Sequence, residues 1–494
     1  MRFSRNTACR LLKNRDMHYK IWNLDSFANN TALIDEHNNN LSYHELKIES
    51  ERVANLLGRR CLVFCLCQNK ISSILGYVAF INNNIVPLLL NSNIDSDSLI
   101  RLMEIYKPAY LWIPEDQRKN FRDMHNMTEI YNIYDYSLLK TNYEREFDLY
   151  DQLALLLTTS GSTGSPKFVR QSYRNILSNA LSIKKYLNLN ESERPITTLP
   201  MNYTYGLSII NSHLLSGAAI LVTDKTLMQK DFWDFMRREN ATSLSGVPYT
   251  YEILDKLNFY RMNLPALRTL TQAGGKILPE LQGKFARYAQ ENNKNFIIMY
   301  GQCEATARMS YLPSDKALTK NGSIGIAIPG GKFKLIDDND QEITQILTPG
   351  ELVYMGENVT LGYAESGEDL SKGDERGGVL KTGDIAEFDS DGYFYIVGRK
   401  KRFLKIYGNR VNLDEIDRLI HGKFNIESVS SGLDDKMYIF ITDKNKNLAA
   451  QIKEFAENKT KLNPSAFKVV IIDEIPRNQS GKIMYNELRK YYDI

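Results

Sequence analysis

Apolar residues occur along this chain in short, nearly unbroken runs such as TALID, CLVFCLC, AYLWI, ALLLTTS, AILVT and FIIMY. Between them lie longer stretches, SYHELKIESERVANLLG among them, in which apolar positions return at helical spacing. Strands alternating with helices from about Thr31 onward predict α/β layers built on largely parallel sheets. Further along the pattern changes. KFKLIDDNDQEI and AEFDSDGYFYIVGR set Asp, Asn and Gly turns between alternating strands, which predicts a β-rich subdomain of hairpins. After GRKKRF the order helix, strand, strand, helix, strand, helix fills a last segment of about ninety residues, the size of a small α+β domain. The expected division is a large multi-layer N-terminal domain over residues 1–398, a hinge at 399–402 and a small mobile C-terminal domain over 403–494.

The 494 residues are too many for one core. A hydrophobic share of 43% with 24% charged residues is that of an ordinary globular protein. Lys and Arg exceed Asp and Glu by three, which leaves no overall field for a nucleic acid or an anionic membrane. No run approaches the ~18 apolar residues of a membrane span, and the basic start MRFSRNTACRLLKNRD lacks the apolar middle of a signal peptide. The expected setting is cytoplasmic, the start being a frayed terminus or translation beginning at Met17. Cys61, Cys65 and Cys67 would share one face of a strand, and with no second Cys or His cluster they are read as core thiols rather than metal ligands.

The sharpest local feature is the segment from Leu157 to Lys167, LTTSGSTGSPK, after an apolar run and before the helical SYRNILSNALSIKKYL. Small hydroxyl and glycine residues let backbone N–H groups approach an anion, and Lys167 adds charge, so this composition predicts a phosphate loop between strand and helix. It does not have P-loop spacing, because Lys167 follows Pro166 and no hydroxyl residue follows it.

The loop TTSGSTGSPK resembles the signature of the acyl-adenylate-forming superfamily, which includes acyl-CoA synthetases, peptide synthetase adenylation domains and luciferase. Further motifs follow in that family's order: YGQCE at 300–304, GSIG at 322–325, TGD at 382–384, Gly398-Arg399, KIYG at 405–408 and NQSGK at 478–482. The resemblance implies ATP and magnesium as cofactors. It implies that Lys482, Glu304 and Lys167 carry the chemistry, Glu304 also holding the metal, since a carboxylate is a hard oxygen ligand. It places the nucleotide among Thr158, Thr159, Ser160, Gly161, Ser162, Thr163, Gly164, Gly274, Gly275, Tyr300, Gly301, Gln302, Cys303, Asp384, Arg399 and Lys405. Asp384 matches the ribose-binding aspartate, Arg399 its companion and Lys401 the pivot of the small domain. Cys303 stands where the family commonly has Thr, which puts one hydroxyl contact to the α-phosphate in doubt.

The same resemblance draws substrate choice to LPMNYTYGL at 199–207, GVPYTY at 246–251 and the residues after Gln272, with Tyr203, Gly206, Tyr249 and Gln272 as candidates. No acid lies near Asn202, where amino-acid-activating relatives pair the substrate ammonium, so an α-amino acid is not expected. The tyrosine-rich lining points instead to a short or hydroxylated acid. The expected reaction is adenylation of a small carboxylic acid, then transfer to a phosphopantetheine thiol of coenzyme A or an acyl carrier protein. The basic stretch from Arg399 to Arg402 would suit an acidic carrier or be plain solvated charge. Two other readings are an adenylating enzyme with a non-thiol second step and a catalytically silent nucleotide-binding relative.

Overall fold

The computed structural model describes residues 20–118, 127–143, 147–158, 167–407, 409–433, 435–478 and 483–492, and they form two compact units. The first takes the described residues of Met1–Leu244, Leu264–Leu267 and Glu357–Gly377. Leu62–Cys67 is central in its larger sheet, parallel to Val86–Asn91 on one side and Tyr110–Pro114 on the other. Val86–Asn91 is in turn parallel to Leu153–Thr158. Antiparallel pairs close both margins: Phe168–Ser172 with Gly362–Ala364, and Tyr136–Lys140 with Thr128–Ile133. A strand buried on both faces carries an unbroken apolar run, because successive side chains enter opposite layers. Cys61, Val63, Cys65 and Cys67 enter one core, and Leu62, Phe64 and Leu66 enter the other. The thiols are thus packing residues, and burial pushes Cys67 up to about 12 and Cys65 well above the ordinary thiol value.

Local signals set the helices of this unit. Ser42 and Glu45 form a capping box at the start of Tyr43–Leu57, and Gly58, at φ +67°, ends it in the left-handed region. Ile71–Asn82 has every residue buried. A Cβ at Gly76 would lie 2.3 Å from Trp112 Nε1, so only glycine lets that indole pack there. In a second sheet, Thr31–Asp35 and Pro195–Ile196 flank Ile220–Val222 in parallel, with Asn40–Ser42 antiparallel at one end.

The second unit takes Ser245–Asn263, Arg268–Gly356 and the described residues of Gly378–Ile494. Thr269–Gln272 and Asn295–Tyr300 run parallel, and Ser310–Leu312 and Ile326–Ala327 extend them antiparallel. The predicted hairpins form a five-stranded sheet in the order Glu342–Ile343, Lys332–Ile336, Gly350–Met355, Val379–Phe388, Phe394–Arg399. Phe403–Ile406 and Asn409–Asn412 make a ribbon. Beyond it, the helices Leu413–Phe424 and Lys446–Thr460 share a core with Lys436–Ile441 and Phe467–Ile471, filled by Ile406, Ile416, Ile420, Ile439, Ile452 and Phe467, and Ser428–Leu433 pairs antiparallel with Lys436–Ile441. In this last segment the element order is the one read from the sequence. Among the described residues no helix is long and apolar enough to cross a membrane.

Candidate functional site

In the first unit the glycine-rich segment is a hairpin connection. Thr158 ends one strand and pairs with Phe168 at the start of the next, antiparallel one. This corrects the expectation of a loop set between strand and helix: Phe168–Ser172 intervenes before the helix Tyr173–Tyr186, whose N-terminus is capped by Ser172 instead. The β-branched and apolar FVRQS prolongs the ladder, so the loop is fixed at both ends by strand pairing. Thr159, Ser160, Gly161, Ser162, Thr163 and Gly164 lie outside the described residues. Lys167 packs over the Tyr363 ring at 4.0 Å and lies 3.2 Å from Glu365. Tyr203 is the N-cap of the helix Thr204–Leu214, and a Cβ at Gly206 would meet Pro200 O at 2.3 Å, which makes glycine obligatory in that first turn.

In the second unit several predicted residues converge. Gln272 ends its strand in register with Ile298, two positions before Tyr300, so both sit at the carboxyl edge of the parallel pair, the edge where open α/β sheets bind ligands. Gln272 is buried and donates to Gly275 O at 2.9 Å. The turn it enters has Gly274 at φ +85°, and Ala273 N donates to Gly246 O at 3.2 Å, which joins the segments 246–251 and 272–275. Tyr249 lies on the first turn of the helix Pro248–Lys256 and is 45% exposed.

Asp384 is the centre of the group. It is 2% exposed. Its Oδ2 accepts from the Tyr300 hydroxyl and, at 3.0 Å, from Gln302 Nε2, while Oδ1 lies 2.9 Å from Arg399 Nε. Strand pairing makes this possible: Asp384 and Arg399 are direct partners across the hairpin. Gln302 also donates to Thr382 O at 3.0 Å. Burial first, and then the charge of Asp384, raises the Tyr300 phenol well above its ordinary value, so Tyr300 stays a neutral donor. Cys303 and Glu304 open a short 3-10 turn, Cys303 buried and Glu304 half-buried.

The path of the chain there is tight. A Cβ at Gly301 would lie 1.6 Å from Ala307 O, and Thr306 and Ala307 both take positive φ, 51° and 87°. Gly301→Ala must displace backbone in the turn that carries Glu304. We expect a stability loss of about 1–3 kcal/mol, read as a lowered melting temperature; an unchanged one would show that the turn yields freely.

Sequence reasoning undervalued the run Arg399–Arg402. Three of its side chains have acidic partners: the exposed Arg399 pairs with Asp384 and the half-exposed Lys400 with Glu351 at 2.8 Å, while the buried Arg402 pairs with Asp414 and Asp417 at 2.8 and 2.9 Å. The signal available was the acidic first turn of LDEIDRLIHGKF, whose Asp414 and Asp417 share one helix face. The backbones of Lys401 and Lys405 lie in the 3-10 turn Lys400–Arg402 and the strand Phe403–Ile406. Lys482 lies outside the described residues.

The chemistry of the donors fits a magnesium ion. Mg²⁺ is held through one or two carboxylates with substrate phosphates supplying the rest, and Glu304 offers one. Among the described residues no group of three or more His, Cys, Asp or Glu forms an all-protein metal site.

Known proteins match this chain in sequence and fold. The family model described as AMP-binding enzyme matches residues 22–364. The chain is 30% identical over 359 residues to an oxalate–CoA ligase of Arabidopsis thaliana, covering 69% of this chain and 68% of that protein. It is 26% identical over 413 residues to a 2-succinylbenzoate–CoA ligase of Bacillus cereus, covering 82% and 83%. Among solved structures, the O-succinylbenzoate coenzyme A synthetase of Bacillus subtilis in complex with ATP and magnesium ion superposes with a TM-score of 0.74 at 23% identity, over 94% of this chain and 98% of that one. The chain belongs to the AMP-binding enzyme family, the adenylate-forming ligases.

Proposed function

We propose that this enzyme activates a small carboxylic acid with Mg-ATP and passes the acyl group to the thiol of coenzyme A. The observation that carries the reading is the convergence of Tyr300, Gln302 and Arg399 on the buried Asp384. A buried carboxylate is costly unless paired and hydrogen-bonded, and these donors keep it an acceptor for the ribose hydroxyls. The thiol of coenzyme A, rather than of a carrier protein, is favoured because the relatives are named CoA ligases and because the basic run that would have met an acidic carrier is paired within the chain.

In the first step a substrate carboxylate oxygen attacks the α-phosphorus and pyrophosphate leaves. Lys167 and the loop 158–164 bind the phosphates. Glu304 would hold the magnesium ion, which when bound neutralises charge on the phosphate oxygens. By the family resemblance Lys482 would act on the negative charge that accumulates as carboxylate meets α-phosphate. In the second step the thiol sulfur attacks the acyl carbonyl carbon, losing its proton, and AMP departs. Acyl recognition is assigned to Tyr203, Gly206, Tyr249 and Gln272 on the family resemblance, while Gly274 and Gly275 let the backbone approach adenine. Lys405 belongs to the strand presented in the second step. Residues 1–398 form the large domain, 399–402 the hinge with Lys401 as pivot, and 403–494 the moving domain. The buried thiols Cys65 and Cys67 support a reducing, cytoplasmic setting.

The test is pyrophosphate release over short, hydroxy, aromatic and long-chain acids, with and without coenzyme A. We expect release with one class of acid and an acyl-CoA product when the thiol is added. Release that no thiol accelerates would replace the second step by another acceptor. ATP binding without release for any acid would leave a silent nucleotide-binding protein.

A further inference from the structure

The anchors of the chain change sides at one residue. Arg399 and Lys400 are held by Asp384 and Glu351, both earlier in the sequence. Among the described residues, the partners of Arg402 all come from later segments. Its Nε donates to Asp414 Oδ1 at 2.8 Å and its Nη2 to Asp417 Oδ2 at 2.9 Å, both on the helix Leu413–Phe424. Its Nη1 donates to Ser430 O on the strand Ser428–Leu433, and its guanidinium lies over the Tyr485 ring at 4.4 Å. Arg402 is 9% exposed, which is rare for this residue type without such pairing. The cluster is a demanding one. Burial pushes the Asp417 carboxyl up to about 7 against the opposing pull of Arg402 and of hydrogen bonding from Ser430.

A guanidinium is suited to this place because its planar fork serves two carboxylates and a carbonyl at once while its face stacks on a ring. The result is a hub that joins the 3-10 turn, a helix, a strand and the start of the helix Tyr485–Leu488. Only Lys401 lies between the last backward anchor and this forward one.

We infer that Arg402 is a positioning residue for adenylation: it welds the turn after the pivot to the C-terminal body, so that rotation is confined to Lys401 and the segment bearing Lys482, three positions before Tyr485 in the chain, is carried with it. The inference rests on the proposed function, in which Lys482 acts in the first step. With Arg402 lost, the same rotation spreads over several residues, and the ammonium is delivered less often to the reacting position. A misplacement of about 1 Å in a reacting group can cost ~10²-fold in rate.

The experiment is a double-mutant cycle on single-turnover adenylation, using full-length protein and an acid that supports pyrophosphate release. Arg402→Met should lower the adenylation rate about tenfold with the KM for ATP within about twofold. In a Lys482→Ala background the same substitution should cost less than about twofold, because the group it positions is gone. Since Arg402→Met leaves two partly buried carboxylates without their cation, the charge-free triple variant Arg402→Met, Asp414→Asn, Asp417→Asn is made beside it. That variant should melt close to the wild type and show the same tenfold loss. A second full loss in the Lys482→Ala background, or a wild-type rate in the charge-free variant, overturns the inference and leaves the proposed function standing. A Lys482→Ala enzyme that adenylates normally overturns the role given to Lys482, and the inference with it.

Discussion

Asp384→Ala will lower kcat/KM for ATP by about two orders of magnitude. In the free enzyme the carboxylate accepts from Tyr300 and Gln302 and faces Arg399. An ionised carboxylate offers about four acceptor positions, so capacity remains for a ribose hydroxyl. Hydrogen bonds to a charged group contribute about 1.5–3 kcal/mol each, and two of them lost together account for the hundredfold. The loss should appear mainly in the KM for ATP, since ribose contacts are made equally in the ground and transition states. Asp384→Asn keeps the shape but turns one acceptor into a donor facing either the Tyr300 hydroxyl or Arg399, so it should recover little. Initial-rate kinetics in ATP, with circular dichroism to confirm folding, decide the matter. An Asp384→Ala enzyme with an unchanged KM would remove the nucleotide from this site.

Arg170→Met will destabilise the protein by about 3–5 kcal/mol. Arg170 has a fully buried side chain. Its Nε donates to Tyr363 O at 2.9 Å, and its remaining nitrogens reach the carbonyls of Leu361, Lys372 and Gly373 and the carboxylate of Glu375. These bonds fasten the segment 361–375 to the strand Phe168–Ser172. Removing the cation leaves several carbonyls without their donor, at about 1–3 kcal/mol for each one that is buried, while the half-exposed Glu375 carboxylate turns to water. Because Arg170 lies in the strand that directly follows Lys167, acid-dependent pyrophosphate release should fall as well. The check is chemical denaturation: a midpoint within the error of the wild type would show that water replaces the guanidinium at no cost. The more conservative Arg170→Lys should lie between, since a single ammonium cannot serve acceptors spread over so many residues.

Both residues show where sequence reading succeeds and where it stops. Asp384 was legible because a three-residue motif marks it, yet its Arg399 partner follows from strand register, which places the two opposite each other. Arg170 carries no local signal. FVRQS reads as an ordinary strand, and the carbonyls that hold its side chain come from about 190 to 203 positions further along.

The sequence by itself determined the element order of the last segment, the hairpin sheet and the packing role of Cys61, Cys65 and Cys67, because each depends on periodicity within a few residues, and it pointed to the family through motifs that resemble that family's in order. Only the tertiary structure decided that the glycine-rich loop joins two antiparallel strands, that Gln272 and Tyr300 share one sheet edge, and that the basic run at 399–402 is split between earlier and later partners. The reason is physical. A local pattern fixes which face of an element is apolar, but whether a charge meets water or a carboxylate depends on which distant segment is packed against it.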